Sequence, residues 1–394
     1  MTLASTLVSR RAPLTALPPL SLYVHLPWCL KKCPYCDFNS HEVDSLPEAR
    51  YLQALSADLE AAVPLVWGRT IQTVFVGGGT PSLFAAASID ALLAKVRALF
   101  KLAPDAEVTL EANPGTFEQA KFRDLRAAGV NRLSVGVQSF DAQALRALGR
   151  VHDAAQARAA AEAAAALFPS FNLDLMYGLP GQDLRALGLD LEQALAFAPP
   201  HLSYYHLTIE PNTLFAARPP VVPDEDTAAD MQALIEARTA EAGLAHYEVS
   251  AYARPGHRSR HNLNYWAFGD YLGVGAGAHG KLSFHDRIVR QVRYRDPRRY
   301  MDAALAGDAV ASQRELHARE LPFEFMLNAL RLHEGVAAPL FAERTGVPLA
   351  AIARQLSLAA DRGLLEPDPA TIRPTPLGSR FLNDLQQLFL EENP

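Results

Sequence analysis

Strand-like and helix-like segments alternate six times between residues 21 and 245, and this rhythm constrains the fold more than any other feature of the chain. The strand-like segments are short and apolar: 22–26, 70–76, 107–111, 132–137, 171–176 and 202–208. The helix-like segments carry apolar residues at helical spacing: 48–62, 89–100, 117–128, 154–167, 184–197 and 226–242. Such alternation predicts a parallel sheet with right-handed crossovers. Six units favour an α/β fold of the (β/α)6 partial-barrel type, or a complete barrel, over a flat doubly wound sheet.

Polar or glycine-rich motifs follow the strands of this predicted barrel at their carboxyl ends. The residues that mark these ends are Gly77, Glu111, Gln138, Asp174 and Thr208. In α/β barrels the chemistry is carried at that end, on the loops that lead from strand to helix. We therefore expect one functional rim that gathers side chains from most of the strands.

The only three cysteines of the chain lie in the loop after the first strand, with the spacing C-x3-C-x2-C: Cys29, Cys33 and Cys36. A clustered, odd number of cysteines is atypical of a secreted disulfide framework and fits a reducing cytoplasm. Three thiolates can hold a metal centre and leave one coordination position for a ligand. A zinc ion with a fourth ligand from His25 or His41 is the alternative, although the second C-x-x-C knuckle typical of zinc sites is missing.

Composition narrows the function classes. The formal net charge is −6, from 37 basic and 43 acidic residues, which argues against a mainly electrostatic nucleic-acid binder. Apolar runs stay below about 18 residues, so we expect no membrane span. Residues 9–11 resemble a twin-arginine signal, but the prolines that follow favour a disordered lead over residues 1–20. We expect a cytoplasmic protein.

The rest of the chain departs from the alternation. A chain of 394 residues has room for a barrel and a smaller partner. We expect a barrel over 21–245, a connecting segment over 246–310 rich in aromatic residues, arginine and glycine, and a mainly helical domain over 311–394. A small hairpin predicted at 364–376 makes this domain winged-helix-like. Its basic residues are offset by Asp361, Glu366 and Asp368, so we expect a lid or docking domain rather than a DNA reader.

The cysteine spacing resembles the motif of the radical S-adenosylmethionine (SAM) superfamily, because it follows the first strand of a barrel and is itself followed by an aromatic residue, Phe38. The resemblance implies that Cys29, Cys33 and Cys36 hold a [4Fe-4S] cluster whose fourth iron binds the amino and carboxylate groups of SAM. The Gly77-Gly78-Gly79-Thr80 turn, by itself an ordinary glycine-rich turn and not a P-loop, is similar to the superfamily's motif for the methionine part of SAM.

The motifs at 111–115, 132–140, 148–150 and 172–181 resemble one branch of this superfamily, the oxygen-independent coproporphyrinogen III oxidases and their relatives. This resemblance implies a set of SAM-binding residues: Tyr23, Tyr35, Gly78, Gly79, Thr80, Glu111, Gln138, Arg150 and Asp174. Two more residues, Thr208 and His279, match positions that hold a second SAM in the oxidase. The alternative for Glu111 and Asp174 is that they are solvated residues on the barrel rim without a ligand.

The segment 261–266, His-Asn-Leu-Asn-Tyr-Trp, is similar to the motif of the HemW-type haem chaperones. The resemblance implies that His261 binds haem iron, beside aromatic rings able to stack on a macrocycle. The oxidases carry a fourth cysteine where this chain has Phe38, and a longer segment before the first strand. Both differences favour the chaperones.

We therefore expect a haem carrier that delivers haem to haem proteins such as respiratory enzymes, with the cluster and SAM supporting transfer or dimerisation. The alternatives are a porphyrinogen decarboxylase and a structural iron–sulfur protein without SAM chemistry. A homodimer and transient contact with a membrane acceptor are further expectations, and nucleic acid is not an expected partner.

Overall fold

A twelve-stranded sheet organises the molecule in the computed structural model, which describes residues 11–390, and 116–120 by their backbone alone. Its strands are β1 (Leu20–Leu26), β4 (Thr70–Gly78), β5 (Lys101–Ala112), β6 (Arg132–Gln138), β7 (Ser170–Tyr177), β8 (His201–His206), β9 (Ala245–Glu248), β10 (Ala251–Ala253), β11 (Asp270–Val274), β12 (His279–Ser283), β13 (Ile288–Arg293) and β14 (Val310–Glu315). Two short strands, β2 (Trp28–Cys29) and β3 (His41–Glu42), pair outside it.

The helices of the barrel are α1 (Glu48–Ala62), α2 (Ala86–Leu99), α3 (Thr116–Ala127), α4 (Ala142–Ala147), α5 (Ala154–Leu167), α6 (Leu184–Ala196), α7 (Leu214–Ala217), α8 (Glu225–Glu241), α9 (Arg260–Trp266) and α10 (Pro297–Leu305). Short 3₁₀ turns lie at Val63–Val66 and Pro81–Leu83. No helix of the described residues is long and apolar enough to cross a membrane.

The predicted barrel is confirmed. Strands β1 and β4 to β8 pair in parallel in that order, so the carboxyl ends of six strands meet on one rim. Their side chains are buried almost without interruption, as expected for a parallel sheet covered on both faces. Helices α1 and α5 have the predicted bounds, whereas β8 ends at His206, so Thr208 lies beyond the strand in which we placed it.

The segment predicted as a connector, 246–310, instead extends the sheet at both of its edges. Strand β11 pairs in parallel with β1, and β12, β13 and β14 continue from it as antiparallel strands. At the opposite edge β10 and β9 continue antiparallel from β8. The pairing of β11 with β1 joins residues about 250 positions apart, such as Leu20 with Asp270, and leaves no local pattern in the sequence.

Helix α9 comes from the same segment and packs against β1, β4 and β11. It begins beside the middle of β5, where the backbone N–H of His261 donates to Oε1 of Glu107 at 3.0 Å and Arg260 contacts Asp105. Nδ2 of Asn264 donates to Ser21 and to the carbonyl of Asp270, which lie at the amino ends of β1 and β11. Helix α9 therefore lies towards the end of the barrel opposite the cysteine loop.

The disordered lead expected over residues 1–20 is wrong for its second half, and residues 1–10 lie outside the described residues. The N–H of Ala12 donates to the carbonyl of Gly346 at 2.8 Å, and that of Leu14 to the carbonyl of His285 at 2.8 Å. Leu14 is 3% exposed. These bonds tie the segment to the turn between β12 and β13 through His285, and to the domain that follows the barrel through Gly346.

The carboxyl-terminal domain has its own core, formed by helices α11 (Leu321–Ala329), α12 (Pro339–Thr345), α13 (Ala353–Asp361), α14 (Pro376–Arg380) and α15 (Leu382–Gln387), with a 3₁₀ turn at Leu349–Ile352. Strands β15 (Val336–Ala337) and β16 (Thr371–Ile372) pair antiparallel. A bridge between Leu365 and Pro374 closes the hairpin predicted at 364–376. The domain begins after β14, because that strand still belongs to the large sheet.

Candidate functional site

The carboxyl ends of the parallel strands enclose a cavity of about 360 Å³ that the cysteine loop covers. It is lined by all three cysteines and by nine of the eleven residues that the sequence assigned to SAM: Tyr35, Gly78, Gly79, Thr80, Glu111, Gln138, Arg150, Asp174 and Thr208. Its volume lies within the range of small-molecule sites. We refer to it as the rim cavity.

The cysteines are free thiols, partly exposed at the edge of the rim cavity. The hydroxyl of Thr80 donates to Sγ of Cys29 at 3.5 Å, and Nη1 of Arg150 to Sγ of Cys33 at 3.4 Å. Burial raises the pKa of the Cys29 thiol, and the hydrogen bond from Thr80 opposes that rise. Donors that face sulfur can hydrogen-bond to a cysteine sulfur that binds metal.

This donor set fits an iron–sulfur cluster, which needs thiolates that face a common volume, and all three cysteines line the rim cavity. The described side chains include no group of three His, Cys, Asp or Glu residues placed to hold a single metal ion. A cluster does not require such convergence, because each thiolate binds a different iron. When bound, the cluster supplies one-electron chemistry.

The glycine turn is required by packing. Gly78 has φ +123°, and a Cβ there would lie 2.7 Å from the His25 ring. A Cβ on Gly79 would lie 2.5 Å from the Trp28 carbonyl oxygen. The turn is therefore pressed against the start of the cysteine loop, and any side chain would force the two apart.

Two carboxylates face the rim cavity. Oε2 of Glu111 accepts from the N–H of Gly78 at 3.0 Å. Burial, and then the nearby Asp174, raise the pKa of Glu111 to about 7. Burial also raises the pKa of Asp174, while hydrogen bonds from Ser134 and Asn172 oppose it. Carboxylates in such positions can accept hydrogen bonds from ligand hydroxyl groups.

Arg150 and Gln138 complete the wall. Besides Cys33, Arg150 donates through Nη2 to Oδ1 of Asn113 at 2.7 Å and to the carbonyl of Gly136 at 2.9 Å. Gln138 ends β6 with φ 67°, a left-handed backbone that is uncommon outside glycine. Strained positions of this kind are frequent at functional sites.

A second cavity of about 530 Å³ adjoins the rim cavity and contains the remaining predicted residues, Tyr23, His261 and His279. Four residues line both cavities and form their common wall: Asp37, Phe38, Gly78 and Glu111. The second cavity is rich in aromatic rings, from Tyr23, Phe75, Tyr265 and Tyr271. We refer to it as the aromatic cavity. Thr208 and His279, predicted to serve one ligand, thus lie in different cavities.

His261 is 1% exposed and held on both ring nitrogens. Its Nδ1 lies 2.8 Å from Oγ1 of Thr73, and its Nε2 lies 3.2 Å from the hydroxyl of Tyr265. Oγ1 of Thr73 itself donates to Ser21 at 2.8 Å, so we assign the imidazole proton to Nδ1. Burial, and then the charge of Arg132, lower the pKa of His261 to about 3, which keeps it neutral with a lone pair on Nε2.

The neighbours of His261 in the motif divide between two environments. The ring of Tyr265 meets that of Tyr271 edge-on at 4.4 Å in the aromatic cavity. Trp266 instead packs on the carboxyl-terminal core, with the guanidinium of Arg331 4.3 Å from its ring. Tyr265 and Trp266 are the aromatic residues of the motif that could stack on a macrocycle, and of these two Tyr265 lines the cavity while Trp266 does not.

Comparison with known proteins gives the family. The family model of the radical SAM superfamily matches residues 23–193, and that of the HemN C-terminal domain matches residues 316–381. The heme chaperone HemW of Escherichia coli is 50% identical over 95% of this chain and 99% of its own length. The chain belongs to the HemW family. The heme chaperone HemW of Bacillus subtilis is 33% identical over 94% of this chain and 99% of its own length.

Among solved structures, the coproporphyrinogen III oxidase HemN of Escherichia coli, described as a radical SAM enzyme, matches with a TM-score of 0.81 and 25% identity. The match covers 99% of this chain and 93% of that one. The family thus shares its whole architecture with an oxidase. Because the fold is shared, the difference between a haem carrier and an oxidase must lie in the residues that line the two cavities.

Several residues of the site were missed from the sequence. Asn113 bridges Thr80 and Arg150, and Ser134 and Asn172 hold the carboxylate of Asp174. The available signal was polarity at inward positions of apolar strands. A serine and an asparagine within β6 and β7 are unusual where barrels place branched apolar side chains.

Proposed function

We propose that this protein is a haem carrier, which binds haem and passes it to acceptor haem proteins, on a scaffold that holds a [4Fe-4S] cluster and SAM. The observation that carries the proposal is the common wall of the two cavities. The residues that we propose bind SAM line one cavity, and the histidine of the family motif lines the other. The relatives that match this chain over nearly its full length are named heme chaperones.

In the rim cavity, Cys29, Cys33 and Cys36 would hold the cluster. Glu111 and Asp174 would accept hydrogen bonds from SAM, and the Gly78–Thr80 turn would present backbone groups to its methionine part. Arg150 would place positive charge beside the thiolates. All of these groups line the same volume.

In the aromatic cavity, Nε2 of His261 would bind the haem iron. The hydrogen bond from Nδ1 to Thr73 fixes the tautomer that leaves this lone pair available. Metal-binding histidines commonly have their second nitrogen held in this way. The hydroxyl of Tyr265 would have to leave Nε2 when iron binds.

The alternative is an oxygen-independent coproporphyrinogen III oxidase, and the similarity to HemN over 99% of the chain favours it. Phe38 stands against it. This ring, 63% exposed, occupies the common wall where the resemblance places a fourth cysteine in the oxidases.

The test is a haem titration of the purified protein, followed by the Soret band, with the cluster intact and after its removal. We expect saturable binding that is weakened in His261→Ala. Equal affinity of wild type and variant would exclude His261 as ligand, and no saturable binding would reject the carrier function. Turnover of coproporphyrinogen III with SAM under anaerobic conditions would establish the oxidase instead.

We also propose that the carrier forms a homodimer and that it associates transiently with acceptor proteins at the membrane. Sedimentation with and without the cluster tests the first. Flotation with vesicles that contain an acceptor haem protein tests the second.

A further inference from the structure

The interior of the barrel contains a continuous series of buried hydrogen bonds that begins at helix α9 and ends at Asp174 in the rim cavity. We call it the interior chain, and its members are Ser259, Tyr247, His201, Asn172 and Asp174. The first four are at most 2% exposed. Barrel interiors are ordinarily filled by branched apolar side chains, so a polar series there calls for an explanation.

The links of the interior chain are short. The N–H of Ser259 lies 3.3 Å from the hydroxyl of Tyr247, and that hydroxyl lies 2.8 Å from Nε2 of His201. Nδ1 of His201 lies 2.7 Å from Oδ1 of Asn172. Nδ2 of Asn172 donates to Oδ1 of Asp174 at 2.8 Å.

All of these bonds run in one direction. The amide of Asn172 donates to Ser134 and Asp174, so its oxygen is the acceptor for His201. His201 therefore carries its proton on Nδ1 and accepts from Tyr247 at Nε2. Tyr247 in turn accepts from the N–H of Ser259. Each donor thus points towards the carboxylate of Asp174, and such aligned bonds strengthen one another.

The first member of the interior chain, Ser259, also fixes the start of helix α9, which carries the His261 motif. Ser259 caps α9, and its hydroxyl accepts from the N–H of Asn262 at 3.3 Å. His261 lies in the first turn of that helix. The orientation of this turn decides where Nε2 of His261 points in the aromatic cavity.

We propose that the interior chain couples the occupancy of the rim cavity to the haem affinity of the aromatic cavity, with Tyr247 and His201 as positioning residues. This inference rests on the proposed function. A ligand that bonds to Asp174 changes the strength of the bond between Asp174 and Asn172, and the aligned bonds carry that change to the first turn of α9. Coupling between two sites is reciprocal, so haem must tighten SAM by the factor by which SAM tightens haem.

The experiment measures the dissociation constant for haem with and without SAM, and that for SAM with and without haem. It uses the full chain with its cluster kept oxidised, so that SAM is bound and not cleaved. We expect each ligand to tighten the other by about fivefold or more in wild type. In Tyr247→Phe, which removes one hydroxyl and retains the ring, we expect this factor to fall to about one.

The matched control is Tyr300→Phe. Its hydroxyl also makes two buried bonds, to Asp58 and from the N–H of Gly275, but lies outside the interior chain. This variant should lose comparable stability and keep the wild-type factor.

A factor of one in wild type that binds both ligands overturns the coupling and leaves the carrier function standing. The same conclusion follows if Tyr247→Phe retains the full factor, or if Tyr300→Phe loses it equally. If wild type binds no haem, the proposed function fails, and the coupling fails with it.

Discussion

Nη1 of Arg150 lies 3.4 Å from Sγ of Cys33, and the same guanidinium is bonded to Asn113 and to the backbone of β6. The cation is therefore fixed in place rather than mobile on the surface. A fixed positive charge there would stabilise the negative charge of a cysteine sulfur that binds iron. Arg150 thus links the two halves of the rim cavity, the cysteine loop and the strand ends.

Arg150→Met should weaken cluster retention, because it removes the charge beside Cys33 and leaves the Asn113 amide oxygen without its donor. We expect iron content per chain after anaerobic desalting to fall at least severalfold, on the scale of a charge-assisted hydrogen bond. Arg158→Met is the matched control, since Arg158 is bonded to the Gln193 side chain on the surface, away from the rim cavity. Equal iron content in the two variants would contradict the role given to Arg150.

The affinity for SAM should depend on pH through Glu111. Its pKa is raised to about 7, so the carboxylate gains a proton as the pH falls through neutrality. A protonated carboxyl has lost acceptor capacity, and SAM binding should weaken below pH 7 and level off above it. Titrations of SAM from pH 6 to pH 8 measure this.

Glu111→Gln should bind SAM weakly and show no such pH dependence, because its amide cannot ionise. Glu192→Gln on the surface is the control and should follow wild type. A wild-type affinity that is constant across this range would show that Glu111 does not accept from SAM in its ionised form.

The sequence predicted what depends on local pattern. Six strand–helix units and the rim residues follow from periodicity and from the geometry of parallel strands, and the structure confirms the barrel. The same reasoning failed for 246–310. The pairing of β11 with β1 depends on residues about 250 positions apart, so the glycine-rich segment was expected to be a connector.

The surroundings of the His261 side chain could not be predicted from the sequence either. Its motif predicted a histidine among stacking rings, but burial and tertiary contacts decide which ring faces which core. Trp266 lies on the carboxyl-terminal core because α9 packs against the barrel on one side and against α11 on another. The hydrogen bond between Thr73 and His261 joins residues 188 positions apart, so no local sequence pattern indicates it.

Tyr265→Phe should increase haem affinity if Nε2 of His261 is the iron ligand. The Tyr265 hydroxyl lies 3.2 Å from Nε2 and competes with iron for the same lone pair. Removal of one neutral hydrogen bond should tighten haem binding by about threefold to tenfold, since such a bond contributes roughly 1 kcal/mol. The Soret titration measures this change.

Tyr271→Phe is the control, because Tyr271 lines the same cavity and its hydroxyl is bonded to Arg290 rather than to His261. If Tyr265→Phe weakens haem binding, the hydroxyl itself belongs to the haem site and the competition argument is wrong.

The stability of the fold should depend strongly on one buried ion pair. Asp58 on α1 accepts from Arg293 on β13 at 3.0 Å and from the hydroxyl of Tyr300, and both charged side chains are 2% exposed. This pair joins the barrel to the strands that the 246–310 segment adds.

Asp58→Ala leaves the Arg293 charge buried and unpaired, and should lower the free energy of unfolding by about 3–5 kcal/mol. Asp302→Ala breaks the exposed pair with Arg50 and should cost at most about 1 kcal/mol. Urea denaturation of both variants measures the difference, and equal losses would show that the buried pair does not hold the added strands to α1.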